Sequence, residues 1–234
     1  YVGPLGIENE VAAGFTGKGI KIGVIDGPAD TSVPELQGAN VTVKPMCTFT
    51  ASEATRSHAT AVVSILAARG YGVARGAEII NYSIPTHDDN YDSKCENAGV
   101  DSAISAAVAD GVRVLSISRA GGDIANASRG AIGSAVARGV VVVVGTGNED
   151  PDDSFASVNG TVGVGASDSN GNFQSFSNYG KGLTVMAPGN NTFMHDFAES
   201  GRIRGARGTS YATPIVSGFV AVAMQRWPGA SGNQ

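Results

Sequence analysis

Four polar residues stand where their neighbours could give them chemistry. His58, in Ser57-His58-Ala59-Thr60-Ala61, opens an apolar helical pattern. The positive end of a helix dipole disfavours an imidazolium, so an unpaired histidine there stays neutral. It becomes a competent base once a carboxylate holds its other nitrogen. Asp26 supplies a carboxylate at the end of an apolar run, Gly23-Val24-Ile25-Asp26. Ser210 lies in Gly208-Thr209-Ser210-Tyr211-Ala212-Thr213-Pro214. The glycine permits a sharp turn, and the serine then sits at the mouth of an apolar helix. Pro214 is expected in the first turn, where its missing N–H costs nothing. Two readings of Ser210 stand side by side. It is an N-cap residue, or it is a nucleophile whose oxyanion faces backbone N–H groups and the positive end of the helix.

Asn148 closes Gly145-Thr146-Gly147-Asn148, directly after the most hydrophobic run of the chain. Its side-chain NH2 could serve an oxyanion, and the glycines would let a substrate backbone come close. The same segment imitates the start of a dinucleotide fingerprint. However, Asp150 occupies the sixth position and Glu149–Asp153 is acidic, so a pyrophosphate would be repelled. His87, in a polar acidic loop, lacks the second histidine that a metal site would want. His195 has no patterned context. Cys47 and Cys95 form no CxxC pair, which excludes thioredoxin chemistry and zinc ribbons. Both lie in polar stretches that suit a disulfide, and with it an oxidising compartment and a secreted protein. Two buried thiols are the alternative.

Such residues need elements to position them. Short apolar runs at 18–26, 77–84, 111–118, 139–145, 160–166 and 182–187 are continuous rather than alternating, as in strands covered on both faces. Helical patterns lie between several of them, at 57–69, 98–110 and 124–138, and a long one closes the chain at 209–227. Strands alternating with helices predict an α/β fold with a mainly parallel sheet. Ligands bind beyond the carboxyl ends of such strands, which singles out Asp26, Ser83, Ser118, the 145–148 segment and Asp168. No repeat or linker divides the chain, so residues 1–234 are expected to form one domain.

Composition narrows the classes. The 234 residues carry 16 Lys and Arg against 21 Asp and Glu, a net charge of −5. This argues against a nucleic-acid binder, which needs clustered cations. No apolar run approaches the roughly 20 residues of a membrane helix, so no membrane partner is expected. The start of the chain lacks the pattern of a signal peptide. Its 33 glycines, dispersed along the chain, suggest many tight loops.

Together, Asp26 in VIDGPAD, His58 in SHATA, Asn148 in GTGNE and Ser210 in GTSYATP resemble the subtilisin-like serine proteases, whose chain order is Asp, His, Ser. The likeness runs from Gly14-Phe15-Thr16-Gly17 to Gly218, and includes Phe176-Ser177-Asn178-Tyr179-Gly180 and Ala187-Pro188-Gly189. Within that family, Asp26-Gly27-Pro28-Ala29-Asp30, Gly38-Ala39-Asn40 and Ile84-Pro85 look like the branch that processes cyanobactin precursor peptides.

The resemblance implies a three-layer fold, a seven-stranded, mainly parallel sheet flanked by helices. It implies a serine endopeptidase in which Ser210 attacks, His58 carries the proton, Asp26 orients the imidazole, and Asn148 with the Ser210 N–H binds the oxyanion. Ser118, Arg119, Ala120 and Gly121 would form a strand edge that pairs with an extended peptide, and Gly145, Thr146 and Gly147 would line the first specificity pocket. Arg119 would favour acidic residues in that peptide, unless its guanidinium points to solvent or pairs with Asp123. The implied partners are a peptide or protein substrate and the chain's own prodomain. No cofactor is required. Calcium is an option, but the usual high-affinity loop has no counterpart between Ala68 and Ala77.

Three departures from the family pattern stand out. The motif HGTHVAG reads here His58 to Ser64 as HATAVVS, without its glycine or second histidine, which predicts altered helix packing. Gly27 replaces a Thr or Ser, removing a hydroxyl near the carboxylate. Only 24 residues follow Ser210, a short C-terminal end for the family. Three rivals remain: transpeptidation to a macrocycle, a catalytically inactive peptide-binding relative, and a nucleotide-binding domain resting on GTGNED.

Overall fold

Five of the six unbroken apolar runs are strands buried on both faces, whereas the run at 182–187 is an edge strand that leaves Thr184, Val185 and Met186 exposed. The computed structural model describes residues 5–86, 89–90, 93–118, 122–148, 158–190, 192–196 and 202–229. In chain order the elements are α1 (Ile7–Ala12), β1 (Lys21–Asp26), β2 (Val41–Pro45), α2 (Glu53–Ala67), β3 (Glu78–Ser83), α3 (Ser93–Ala109), β4 (Val114–Ile117), α4 (Gly122–Ala137), β5 (Val141–Gly145), β6 (Val162–Ser167), β7 (Leu183–Pro188), β8 (Thr192–Asp196), β9 (Arg202–Ala206) and α5 (Thr209–Arg226).

Seven strands form one sheet in the order β2-β3-β1-β4-β5-β6-β7, and every pairing within it is parallel. Successive side chains of a strand point to opposite faces. Val24 and Val143 therefore join α2 and α5 in one core, with Val62, Leu66 and Ile215. Their neighbours Ile25 and Val144 join α3 and α4 in the other, with Tyr82, Ile104 and Leu115. The three-layer α/β arrangement agrees with the sequence reading.

Several elements depart from it. β2 escaped notice because it is a half-exposed edge strand, Val-Thr-Val-Lys-Pro, without an unbroken apolar run. α2 begins four residues before the expected start. Ser52 caps it, its Oγ accepting from Thr55 N at 3.1 Å, so His58 sits in the second turn. The dipole argument for a neutral His58 weakens accordingly, since that field fades beyond the first turn. Pro214 likewise lies inside α5, in its second turn rather than its first. β8 and β9 pair as an antiparallel hairpin that the sequence reading missed, and His195 lies in β8. Cys47 and Cys95 are joined by a disulfide, which tethers the segment after β2 to α3.

Candidate active site

Parallel strands deliver their C-terminal ends to one edge of the sheet, and three of them meet there. Asp26 is the last residue of β1, Ser118 follows β4, and Asn148 stands three residues beyond β5. α2 brings His58 and α5 brings Ser210 to the same edge. His58 Nδ1 lies 3.0 Å from Asp26 Oδ1, which also accepts the Gly27 N–H at 2.8 Å. The Asp26 side chain is 1% exposed and that of His58 29%, so the carboxylate is sealed while the imidazole keeps an open side. Asp26 Oδ2 is buried and, among the described residues, has no hydrogen-bond partner. This matches the hydroxyl lost at Gly27. A β-carbon at that position would collide with Thr55 Cγ2, so Thr55 and a glycine form a matched pair. The His58 ring also packs on Tyr211, with centroids 5.4 Å apart.

Ser210 is the second residue of α5, and its N–H is one of those a helix start leaves without an intrahelical partner. The capping reading of Ser210 is set aside. The N-cap is Gly208, and the side chain that serves the helix end is Asn148, whose Oδ1 accepts the Thr209 N–H at 2.9 Å. That bond fixes the amide and turns its NH2 outward, beside the space over Gly208. A β-carbon at Gly208 would lie 3.5 Å from Asn148 Nδ2, and its φ of 157° belongs to glycine territory. Ser210 Oγ donates to the Ser118 carbonyl at 3.0 Å, and Ser118 Oγ donates to the Ser210 carbonyl at 2.9 Å.

Among the expected specificity residues, Ser118 touches Ser210, while Arg119, Ala120 and Gly121 lie outside the described residues. Gly145 has a structural duty: a side chain there would press on the Thr209 and Thr213 hydroxyls, so it admits α5. Thr146 is buried, and its hydroxyl donates to the Asn178 carbonyl at 3.0 Å. Gly147 N–H donates to Thr209 Oγ1 at 3.2 Å, and its carbonyl accepts from Asn178 N at 2.9 Å. Thr146 N–H goes to Val164 O. With these amides committed, the nucleotide reading loses its phosphate cradle. His87 and Asp150 lie outside the described residues, and no cluster that could hold a metal occurs among those described.

Further residues, not singled out by any sequence motif, brace the site. Asn81, a lone amide inside the buried strand β3, accepts from Ala29 N at 2.9 Å and donates to Gly27 O at 3.1 Å, gripping the turn after Asp26. An asparagine within an apolar run was the available signal. Asp30 accepts from Arg56 Nη2 at 2.9 Å, and its N–H donates to Thr60 Oγ1 at 2.9 Å, binding that same loop to α2. Hydrogen bonding from Ser32, with Arg56 beside it, holds the Asp30 carboxyl below its usual range. Asp89 accepts from Ser52 N and Thr86 N, each at 2.7 Å, at the start of α2. Burial alone would raise its pKa, but these N–H donors outweigh it and the net shift is downward.

The profile of the Subtilase family, Peptidase_S8, matches residues 17–234. The chain belongs to the subtilase family. This subtilase is 30% identical over 231 residues to Subtilisin NAT of Bacillus subtilis subsp. natto, an alignment covering 92% of the chain and 58% of that protein. It therefore spans a little over half the length of such curated relatives. Among solved structures it resembles the Prenylagaramide maturation protease PagA, with a TM-score of 0.78 and 25% identity over 97% of this chain and 83% of that one. That similarity agrees with the branch suggested by the motifs around Asp26. The PatG macrocyclase in complex with peptide superposes with a TM-score of 0.81, covering 97% of this chain and 84% of that one. At 19% identity it speaks for the fold alone.

Proposed function

We propose that the chain is a serine endopeptidase that hydrolyses peptide bonds through an acyl-enzyme. The observation that carries this reading is the His58–Asp26 pair, with its buried carboxylate, beside a serine at the N-terminus of α5. Ser210 Oγ turns from the Ser118 carbonyl, gives its proton to His58 Nε2 and bonds to the substrate carbonyl carbon. The developing oxyanion meets Asn148 Nδ2 and the Ser210 N–H, donors fixed before the reaction begins. Asp26 stabilises the imidazolium. His58 then returns the proton to the amine as the C–N bond breaks. Water enters, loses a proton to His58 and attacks the ester, and Ser210 recovers its hydrogen as the acid departs.

The substrate in this reading is an extended peptide running along 118–121. No step is assigned to a metal, so a chelator should leave turnover unchanged. The disulfide suits an oxidising compartment. The likeness to PagA, with the motifs around Asp26, favours a second reading in which the peptide is a precursor undergoing maturation. Product mass separates hydrolysis, which adds one water, from macrocyclisation, which does not. The decisive experiment is labelling with a fluorophosphonate, followed by peptide mapping. Stoichiometric modification of Ser210, lost in His58→Ala, is the expected result; an unlabelled wild type would leave only a peptide-binding role.

A further inference from the structure

α5 carries a defect at the residue that matters most. In a regular helix the N–H of residue i+4 serves the carbonyl of residue i. Four residues after Ser210 stands Pro214, which has no N–H, and whose ring crowds the carbonyl of residue 210. The backbone that carries the nucleophile is therefore denied its normal helical anchor. The bond is supplied from elsewhere: Ser118 Oγ donates to the Ser210 carbonyl at 2.9 Å. Ser118 is 4% exposed and follows β4, a central strand of the sheet, so the donor sits on a rigid support. In return the Ser118 carbonyl accepts from Ser210 Oγ at 3.0 Å, so one residue grips the nucleophile by both its backbone and its hydroxyl.

We propose that the Ser118 side chain is a positioning residue for the nucleophile, replacing the helical hydrogen bond that Pro214 removes. This rests on the peptidase reading of the same site. Its hydroxyl touches neither substrate nor reacting atoms; it acts through the Ser210 backbone. Without it, the half-buried Ser210 carbonyl loses this bond and the first turn of α5 relaxes. The nucleophile then drifts from its attack position, where small displacements are costly.

The test is a double-mutant cycle. Ser118→Ala should lower kcat roughly tenfold with KM little changed. Pro214→Ala restores an N–H at position 214, so the double variant Ser118→Ala/Pro214→Ala should recover most of the loss. A role in general packing would give no such suppression, because removing the proline ring cannot refill the space of the Ser118 hydroxyl. If the alanine variant does not fold, Ser118→Cys keeps the volume with a far weaker donor and should show the same loss and recovery. A kcat within twofold of wild type, or independent losses that multiply in the double variant, would overturn the proposal while leaving fluorophosphonate labelling of Ser210 intact. A wild type that fails to label overturns the peptidase reading, and this proposal falls with it.

Discussion

Replacing Asp26 by asparagine separates the carboxylate's charge from its geometry. Oδ1 accepts from two donors, Gly27 N–H at 2.8 Å and His58 Nδ1 at 3.0 Å. A backbone N–H cannot become an acceptor, so the amide oxygen of Asp26→Asn takes the Oδ1 position. Its NH2 takes the place of Oδ2, which has no partner to lose among the described residues. His58 Nδ1–H thus keeps its acceptor, and the ring keeps its lone pair at Nε2. Only the charge facing the imidazolium is removed. With charge centres about 4 Å apart and an effective dielectric near 20, suited to a half-open imidazole, the loss is about 4 kcal/mol. That corresponds to roughly 10³ in kcat. In a chymotrypsin-like site the same exchange inverts the tautomer and costs about 10⁴. The assay is peptide hydrolysis by Asp26→Asn and Asp26→Ala, with 15N NMR of the imidazole nitrogens. The asparagine variant should retain the Nδ1–H tautomer and outperform alanine. An Nε2–H signal, or equal losses in both variants, would refute the reasoning.

Asn148→Ala should lower kcat by roughly 10²–10³, the known worth of the matching donor in subtilisin, with KM nearly unchanged because the oxyanion exists only along the reaction path; a rise in KM at constant kcat would make Asn148 a ground-state contact. Breaking the Cys47–Cys95 disulfide, whose ends are 48 residues apart, frees a loop worth about 4 kcal/mol on the chain-entropy account, or roughly 8–16 °C in Tm. Calorimetry of Cys47→Ser/Cys95→Ser checks this, and an unchanged Tm would count against it. Asp89 has its pKa depressed in the folded protein, so its contribution to stability is complete above the unfolded value of about 3.9 and fades as pH falls through the folded one. Asp89→Asn should therefore melt below wild type at neutral pH and converge with it at strongly acidic pH; a constant gap would contradict the linkage.

The legible parts of this protein were those written in local pattern. Buried parallel strands must be apolar on both faces, so β1, β3, β4, β5 and β6 announced themselves, as did the long apolar α5. Asp26, His58, Asn148 and Ser210 each stood in a short motif. What local pattern could not reach was any element or bond whose partner lies far along the chain. β2 pairs with β3 alone among the described strands and needs no apolar run, and the hairpin β8–β9 is defined by pairing rather than composition. Cysteine spacing left the disulfide open, because bonding depends on two backbones being brought to bonding distance. Asn81 beneath the turn after Asp26, Asp89 under the start of α2 and Thr55 against Gly27 likewise acquire meaning only where separate segments pack together. The clearest case is Pro214. Its sequence alone told of a missing N–H, but only the approach of β4 to α5 decided that Ser118, 92 residues from Ser210, would supply the bond in its place.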